Sequence, residues 1–175
     1  MEPQRDSQGP NHRPRVEDGF ITGVVTHFSP NVTYGEENIL TELYRSEWVG
    51  VFAEGEAIEH LYTVNAPKGG IRKEWYFHIN TLDRYMVLCG QLDVGLYDAR
   101  IDSPTHGLFG VVSLGEPGSG LPNALRIPPL VWHSLKWQTP TGQFLNAKLP
   151  SYNAQVPDKF RISHEDLPDA ITWNI

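Results

Sequence analysis

The sequence is short of cysteine and of positive charge, and each shortage excludes a class of protein. The single cysteine, Cys89, excludes an internal disulfide and favours a reducing, cytoplasmic location. Fourteen Lys and Arg residues face 21 Asp and Glu residues, so the net charge is −7. Because such a chain lacks the basic surface that neutralises a row of phosphates, we expect no nucleic-acid partner.

Long apolar runs are also missing. No stretch approaches the ~18 apolar residues of a membrane span, so we expect no membrane segment. The chain begins with MEPQRDSQGPNHRPRVEDG, which is too polar for a secretory signal and shows no hydrophobic periodicity. The composition therefore predicts a disordered arm over residues 1–19 and one folded domain over residues 20–175.

Glycine and proline, in contrast, are abundant, with 16 and 14 residues. They separate short runs that are rich in β-branched and aromatic residues, such as GFITGVVTHF and RYMVLCGQLDVGLYDAR. Punctuated runs of this kind are typical of strands joined by turns. Helical spacing is weak, and only EENILTELYRSEW allows a helical turn or two. The pattern predicts an all-β sandwich or barrel with short peripheral helical turns.

One run, GGIRKEWYFHINTLDRYMVLCG, carries polar residues in a pattern that predicts a site. A strand over residues 71–79 places Tyr76 and His78 on one face, and Trp75 and Phe77 on the other. The apolar stretch MVLC that follows indicates a strand covered on both faces.

Two further polar residues extend this pattern. Asp83 follows in the same run, and His133 lies further along in IPPLVWH. Two imidazoles and a carboxylate in one small barrel suit general acid–base work, and they equally suit a divalent transition metal. His60, in AIEHLY, is expected near them on a neighbouring inner strand. Spacing alone does not distinguish these roles from that of hydrogen-bonded core histidines.

Three stretches carry a resemblance to a known family. DVGLYDARIDSPTHG, residues 93–107, resembles an Asp-x-x-x-Asp-x-Arg strand followed by Ser-Pro-Thr-x-Gly. IPPLVWH resembles Ile-Pro-x-Gly-x-x-His with Leu130 in place of the glycine, and DLPDAITWN resembles a segment near the family's C-terminus. From about residue 28 onward the sequence looks like the dTDP-4-dehydrorhamnose 3,5-epimerase-like group of the cupin superfamily.

This resemblance implies a double-stranded β-helix (jelly roll), a homodimer, and a pocket for a dTDP sugar that needs no cofactor. In the family's chemistry, a histidine removes the proton next to the 4-keto group. A lysine steadies the enolate oxygen, and a tyrosine returns a proton on the opposite face.

Several of these family positions are changed here. Tyr76 stands where the family has its catalytic histidine, Asp83 where it has the lysine, and Asn146 where it has the tyrosine. His133 and Tyr152 match without change. A phenol is a weak base near neutral pH, and a carboxylate repels an enolate. We therefore predict that standard 3,5-epimerisation does not run in this protein.

The sequence yields two sets of candidate site residues. The predicted catalytic residues are Tyr76, His78, Asp83 and His133. The predicted substrate-binding residues are Glu42, Arg72, Lys73, Asn146, Lys148 and Tyr152. In the lead hypothesis the protein is an epimerase or isomerase for a nucleotide-linked 4-keto-6-deoxy sugar. Two alternatives stay open: a metal-dependent cupin with one divalent transition metal on His78, Asp83 and His133, and a non-catalytic or secondary-metabolite-binding cupin.

Overall fold

The computed structural model describes residues 14–34, 38–46, 48, 50–53, 56–68, 70 and 74–173. Within these residues the chain forms thirteen strands and one 3-10 helix, His164–Asp166. The strands are β1 Arg15–Asp18, β2 Val25–Phe28, β3 Asn31–Tyr34, β4 Asn38–Thr41, β5 His60–Ala66, β6 Trp75–His78, β7 Asp83–Cys89, β8 Gln91–Asp98, β9 Phe109–Gly115, β10 Ala124–Ile127, β11 Val131–Trp137, β12 Gly142–Lys148 and β13 Lys159–Ile162. In this part of the chain, no helix is long and apolar enough to cross a membrane.

Most of the strands belong to two large antiparallel sheets. One has the order β1-β2-β10-β7-β12-β5 and the other β13-β6-β11-β8-β9, while β3 and β4 pair with each other. Apolar side chains from both large sheets meet in one core, among them Val87, Leu96, Leu125 and Phe144. Two sheets that share one apolar core confirm the predicted all-β class.

Strand β7 lies in the middle of its sheet, between β10 and β12. Its residues Asp83–Val87 are all buried. Tyr85 belongs to the core between the sheets, whereas Met86 packs on the other side in a second cluster that includes Phe52. The prediction of a strand covered on both faces is confirmed, because a chain segment packs on the outside of the sheet as well.

Strand β6 shows the alternation that the sequence predicts. Tyr76 and His78 line a cavity, whereas Trp75 is fully buried on the opposite face. There the ring of Trp75 meets the ring of Trp173 edge-to-face, with 6.1 Å between ring centroids. A Cβ at Gly95 would lie 2.2 Å from Trp173, so the C-terminal segment packs directly on the backbone of β8.

Two segments differ from what the sequence suggests. Strand β1 lies inside the predicted disordered arm, and it pairs with β2 over its whole length. Backbone pairing orders this segment although its side chains are exposed, and residues 1–13 lie outside the described residues. The stretch EENILTELYRSEW contains β4 instead of a helical turn, because Asn38–Thr41 pairs with β3. A short helical turn occurs at His164–Asp166 instead.

The motif DARIDSPT closes a tight turn after β8. The buried carboxylate of Asp98 accepts hydrogen bonds from Arg100 Nε at 2.8 Å, Ser103 Oγ at 2.6 Å and Thr105 Oγ1 at 2.6 Å. Burial would raise the pKa of Asp98, but these hydrogen bonds hold the pKa well below its usual value. The polar residues of this motif therefore stabilise the turn and do not face the cavity.

Leu130 occupies the position at which the resembled motif has glycine. Its φ is +62°, and it is the one non-glycine residue with a positive φ in the described part of the chain. Its N–H donates to the carbonyl of His78 at 2.7 Å, which joins the start of β11 to the end of β6. The backbone thus keeps a conformation that favours glycine, at a cost of about 1–2 kcal/mol for a leucine.

This strain predicts an unusual response to Leu130→Gly. Relief of the left-handed conformation offsets the lost side-chain packing, so we expect an unchanged or higher free energy of unfolding in urea. Leu108 is also about half exposed, at 47%, but its φ is not positive. Leu108→Gly is therefore expected to destabilise by about 1 kcal/mol. Equal losses in the two variants would contradict a strained Leu130.

Candidate active site

A cavity of about 580 Å³ lies among residues of both large sheets. Strands β5, β7 and β12 line it from one sheet, and β6, β11 and β13 contribute from the other. Its volume is in the range of small-molecule sites, and both apolar and polar groups line it. This cavity is therefore the candidate active site.

The buried carboxylate of Asp83 lies at the centre of the polar wall, with 1% of the residue exposed. Asn146 Nδ2 donates to Oδ1 at 2.8 Å, and Lys148 Nζ lies 3.2 Å from the same oxygen. His78 Nε2 and His133 Nε2 face Oδ2 at 3.2 and 3.4 Å. Burial would raise the pKa of Asp83, but the facing imidazoles and the ammonium hold it well below its usual value. Asp83 is therefore ionised at neutral pH.

The two histidines are oriented by backbone carbonyls. His78 Nδ1 lies 2.7 Å from the carbonyl of Asp158, and His133 Nδ1 lies 3.0 Å from the carbonyl of Val131. A carbonyl only accepts, so each Nδ1 carries a proton and each Nε2 is directed to Asp83. Burial lowers the pKa of His133, and the Asp83 carboxylate opposes this effect.

Lys148 brings a positive charge into direct contact with Asp83. It lies on β12, opposite His60 on β5, and lines the cavity. Its Nζ is 3.3 Å from His78 Nε2 and 3.2 Å from Asp83 Oδ1. One ammonium thus contacts both a histidine and the carboxylate that compensates its charge.

Tyr76 is less available for proton transfer than its position suggests. Its hydroxyl shares a hydrogen bond of 3.1 Å with the hydroxyl of Tyr85. Lys159 Nζ lies 3.9 Å from the centroid of the Tyr76 ring, and the ring of His133 packs against it at 4.2 Å. Burial raises the pKa of Tyr85 well above its usual value, so the Tyr85 phenol stays protonated. Between Tyr76 and His78, the geometry favours His78 as the base.

Comparisons with known proteins show which family the chain belongs to. No family model matches the chain. It is 30% identical over 137 residues to the probable low-salt glycan biosynthesis epimerase Agl13 of Haloferax volcanii, which covers 77% of this chain and 83% of that protein. The chain belongs to the dTDP-4-dehydrorhamnose 3,5-epimerase-like cupin family. It is also 31% identical over 134 residues to the spore coat polysaccharide biosynthesis protein SpsL of Bacillus subtilis, covering 71% and 86%.

A solved structure of the same fold confirms the cupin jelly roll. The 4-keto-6-deoxy sugar epimerase NovW of Streptomyces spheroides superposes with a TM-score of 0.74 at 14% identity. The match covers 97% of this chain and 84% of that one. At this identity the likeness shows the fold, which agrees with the resemblance that the sequence carries.

The structure of this epimerase-like cupin brings most of the predicted residues together, with exceptions. Asn146 and Lys148 lie in the cavity wall, and Tyr152 lies at its rim with 60% of its surface exposed. Glu42 lies outside the cavity, and its carboxylate accepts a hydrogen bond from Arg45, so its role in binding stays a prediction. Arg72 and Lys73 lie outside the described residues.

Tyr62, Asp158 and Lys159 are among the cavity residues of this epimerase-like cupin that sequence reasoning missed. Period-two alternation from His60, which lines the cavity as expected, was sufficient to find Tyr62. Asp158 and Lys159 follow a turn in NAQVPDKF that carries no motif, so no local signal pointed to them.

Asp158 anchors the segment that rims the cavity. Its carboxylate accepts the backbone N–H groups of Ile79, Asn80 and Thr81 at 3.0, 2.9 and 2.8 Å, and the Thr81 hydroxyl at 2.8 Å. Desolvation would raise the pKa of Asp158, but these hydrogen bonds lower it below its usual value. The carbonyl of Asp158 also orients His78, so one residue holds both the rim segment and this imidazole.

We expect Asp158→Asn to lower the free energy of unfolding by about 1–3 kcal/mol, because an amide nitrogen then faces backbone N–H groups. The matched control, Asp169→Asn, changes an exposed carboxylate and is expected to stay within about 0.5 kcal/mol of wild type. Urea denaturation of all three proteins measures both values.

The same pair of variants tests the pH dependence. Since the folded pKa of Asp158 is depressed, its stabilisation is present above the usual aspartate pKa near ~4 and is lost as the pH falls below it. The difference in free energy of unfolding between wild type and Asp158→Asn should therefore become smaller in acid. Equal free energies of unfolding at pH 7 would contradict the role of Asp158 as an anchor of the rim segment.

Proposed function

We propose that this protein is an epimerase or isomerase that acts on a dTDP-linked 4-keto-6-deoxy sugar without a cofactor. One observation carries the proposal: the imidazole of His78, fixed in one tautomer, lies 3.3 Å from the ammonium of Lys148 in the wall of the cavity. A base next to a cation is what proton removal beside a ketone requires. The names of the relatives, a glycan biosynthesis epimerase and a 4-keto-6-deoxy sugar epimerase, support the substrate class.

In the proposed mechanism, His78 Nε2 removes the proton from the carbon next to the keto group. The C–H electron pair moves into the ring as the keto oxygen becomes an enolate oxygen, and Lys148 stabilises the negative charge on it. Asp83 keeps Lys148 in place by charge compensation. Return of a proton to the same carbon re-forms the ketone and completes the exchange.

The changed positions support exchange at one carbon instead of two. The family's base position is Tyr76, whose hydroxyl is bonded to Tyr85, and the family's lysine position is Asp83. The base and the cation of this chain therefore act from positions displaced from those of the family. The prediction that standard 3,5-epimerisation does not run stays a prediction, and it follows from this displacement.

Incubation with dTDP-4-dehydro-6-deoxyglucose in D2O tests the proposal. We expect deuterium at one carbon next to the keto group, detected by mass spectrometry and proton NMR. Both His78→Ala and Lys148→Met should slow the exchange by about 10²–10⁴-fold. His106→Ala, which changes an exposed histidine outside the cavity, is the matched control.

Two results would contradict this proposal in different ways. Deuterium at two carbons, with formation of the rhamnose-configured ketone, would show that standard 3,5-epimerisation runs after all. No exchange in the wild-type protein would overturn the assignment of substrate and reaction together.

A second function, that of a metal cupin, is favoured by one specific observation. His133 Nε2 is buried and forms no hydrogen bond of normal geometry, and one ligand atom each of His78, Asp83 and His133 lie within 4.8 Å of one another. Histidines with Nδ1 on a backbone carbonyl are typical metal ligands, so the three residues fit a divalent cation. Such an ion would polarise the keto oxygen. Against it stands Lys148, whose ammonium already compensates Asp83.

Elemental analysis of the purified, untagged protein separates the two functions. Because Lys148 supplies the compensating charge, we expect no stoichiometric Zn, Fe, Mn or Ni. About one equivalent of such a metal per chain, lost in His133→Ala and retained in His106→Ala, would favour the metal cupin.

The remaining predictions concern assembly and location. We propose a homodimer in the cytoplasm with a nucleotide sugar as its small-molecule partner. The free, exposed Cys89 supports the reducing compartment, and the relatives' names support the ligand class.

A further inference from the structure

The tyrosine that the family uses to return a proton is missing here, and Asn146 stands in its place. Asn146 is held by three contacts. The backbone N–H of Arg84 donates to its Oδ1 at 3.2 Å, so its Nδ2 must face the other way. Nδ2 donates to Asp83 Oδ1 at 2.8 Å and to the hydroxyl of Tyr62 at 2.9 Å. Both protons of the amide are thus used, and Asn146 has none to give to a substrate carbon.

Tyr62 brings a phenol back to the same wall from the neighbouring strand. It lies on β5 directly opposite Asn146 on β12, and its side chain lines the cavity. Since the Tyr62 oxygen accepts from Asn146, its own proton is directed away from that amide. The cross-strand pair therefore places a phenolic proton within one hydrogen-bond length of the family's tyrosine position.

Tyr62 and His78 belong to different sheets. Tyr62 is on β5 of the six-stranded sheet, and His78 is on β6 of the five-stranded sheet. The same cavity has both side chains in its wall. Inversion at one carbon needs an acid and a base on opposite faces of the ring, so this role requires the ring to bind between Tyr62 and His78.

We propose that Tyr62 is the acid that returns the proton, a catalytic role that rests on the function proposed above. After His78 has taken the proton, the enolate collapses to the ketone and its carbon takes the Tyr62 hydroxyl proton on the opposite face. The new C–H bond forms, the Tyr62 O–H bond breaks, and a phenolate is left on Tyr62. Water then reprotonates Tyr62 and takes the proton from His78, so the cycle balances.

Tyr62→Phe tests this role, because it removes the hydroxyl and keeps the ring that packs on His60 at 5.0 Å between centroids. With dTDP-4-dehydro-6-deoxyglucose in D2O, we expect the recovered substrate to gain deuterium with retained configuration. Formation of the epimerised product should fall by about 10²–10³-fold. Tyr97→Phe, a buried phenol outside the cavity, is the matched control and should keep both activities.

The possible outcomes are distinguishable. Unchanged product formation in Tyr62→Phe overturns the role of Tyr62 and leaves the proposed function intact. Equal loss of deuterium uptake and of product also overturns it, because Tyr62 would then serve binding or structure. A wild-type protein that takes up no deuterium overturns the proposed function itself. A urea denaturation curve like that of wild type shows that Tyr62→Phe is folded.

Discussion

The site depends on one constraint: the carboxylate of Asp83 is buried and charged, and it must be compensated. An isolated buried ion costs several kcal/mol, so its neighbours must supply charge and hydrogen bonds. Lys148 and Asn146 do so from β12, and the imidazoles of β6 and β11 face the same carboxylate, which draws both sheets to one point. The positions of Lys148 and Asn146 thus follow from the need to compensate one buried acid.

The same constraint bears on the residues that we propose for catalysis. In a jelly roll, residues of adjacent strands that share a face lie side by side, so a functional group is replaceable from the next strand. Lys148 reaches the centre although the lysine position is Asp83, and Tyr62 reaches the wall although the tyrosine position is Asn146. Each replacement comes from a residue whose side chain already faces the cavity.

Local pattern was sufficient for several features of the fold and the site. Period-two alternation in EWYFH assigned Tyr76 and His78 to the cavity, and the motif around His133 placed it beside them. The motif marked Leu130 as a departure from glycine, and the positive φ at this residue came from the structure. Local pattern did not predict β1, because the order of this strand comes from pairing with β2 and not from its own composition. Nor did it find Asp158, whose role depends on distant backbone N–H groups.

By itself the sequence determined the fold class, the family and the strand that carries Tyr76 and His78, since these depend on periodicity and on short motifs. Only the tertiary structure decided which groups meet. Charge compensation and hydrogen bonding act across strands that are far apart along the chain, as between Asp83 and Lys148 or between Tyr62 and Asn146. Contacts of about 3 Å between the side chains of such residues are consequences of sheet register, and register is a property of the packed molecule.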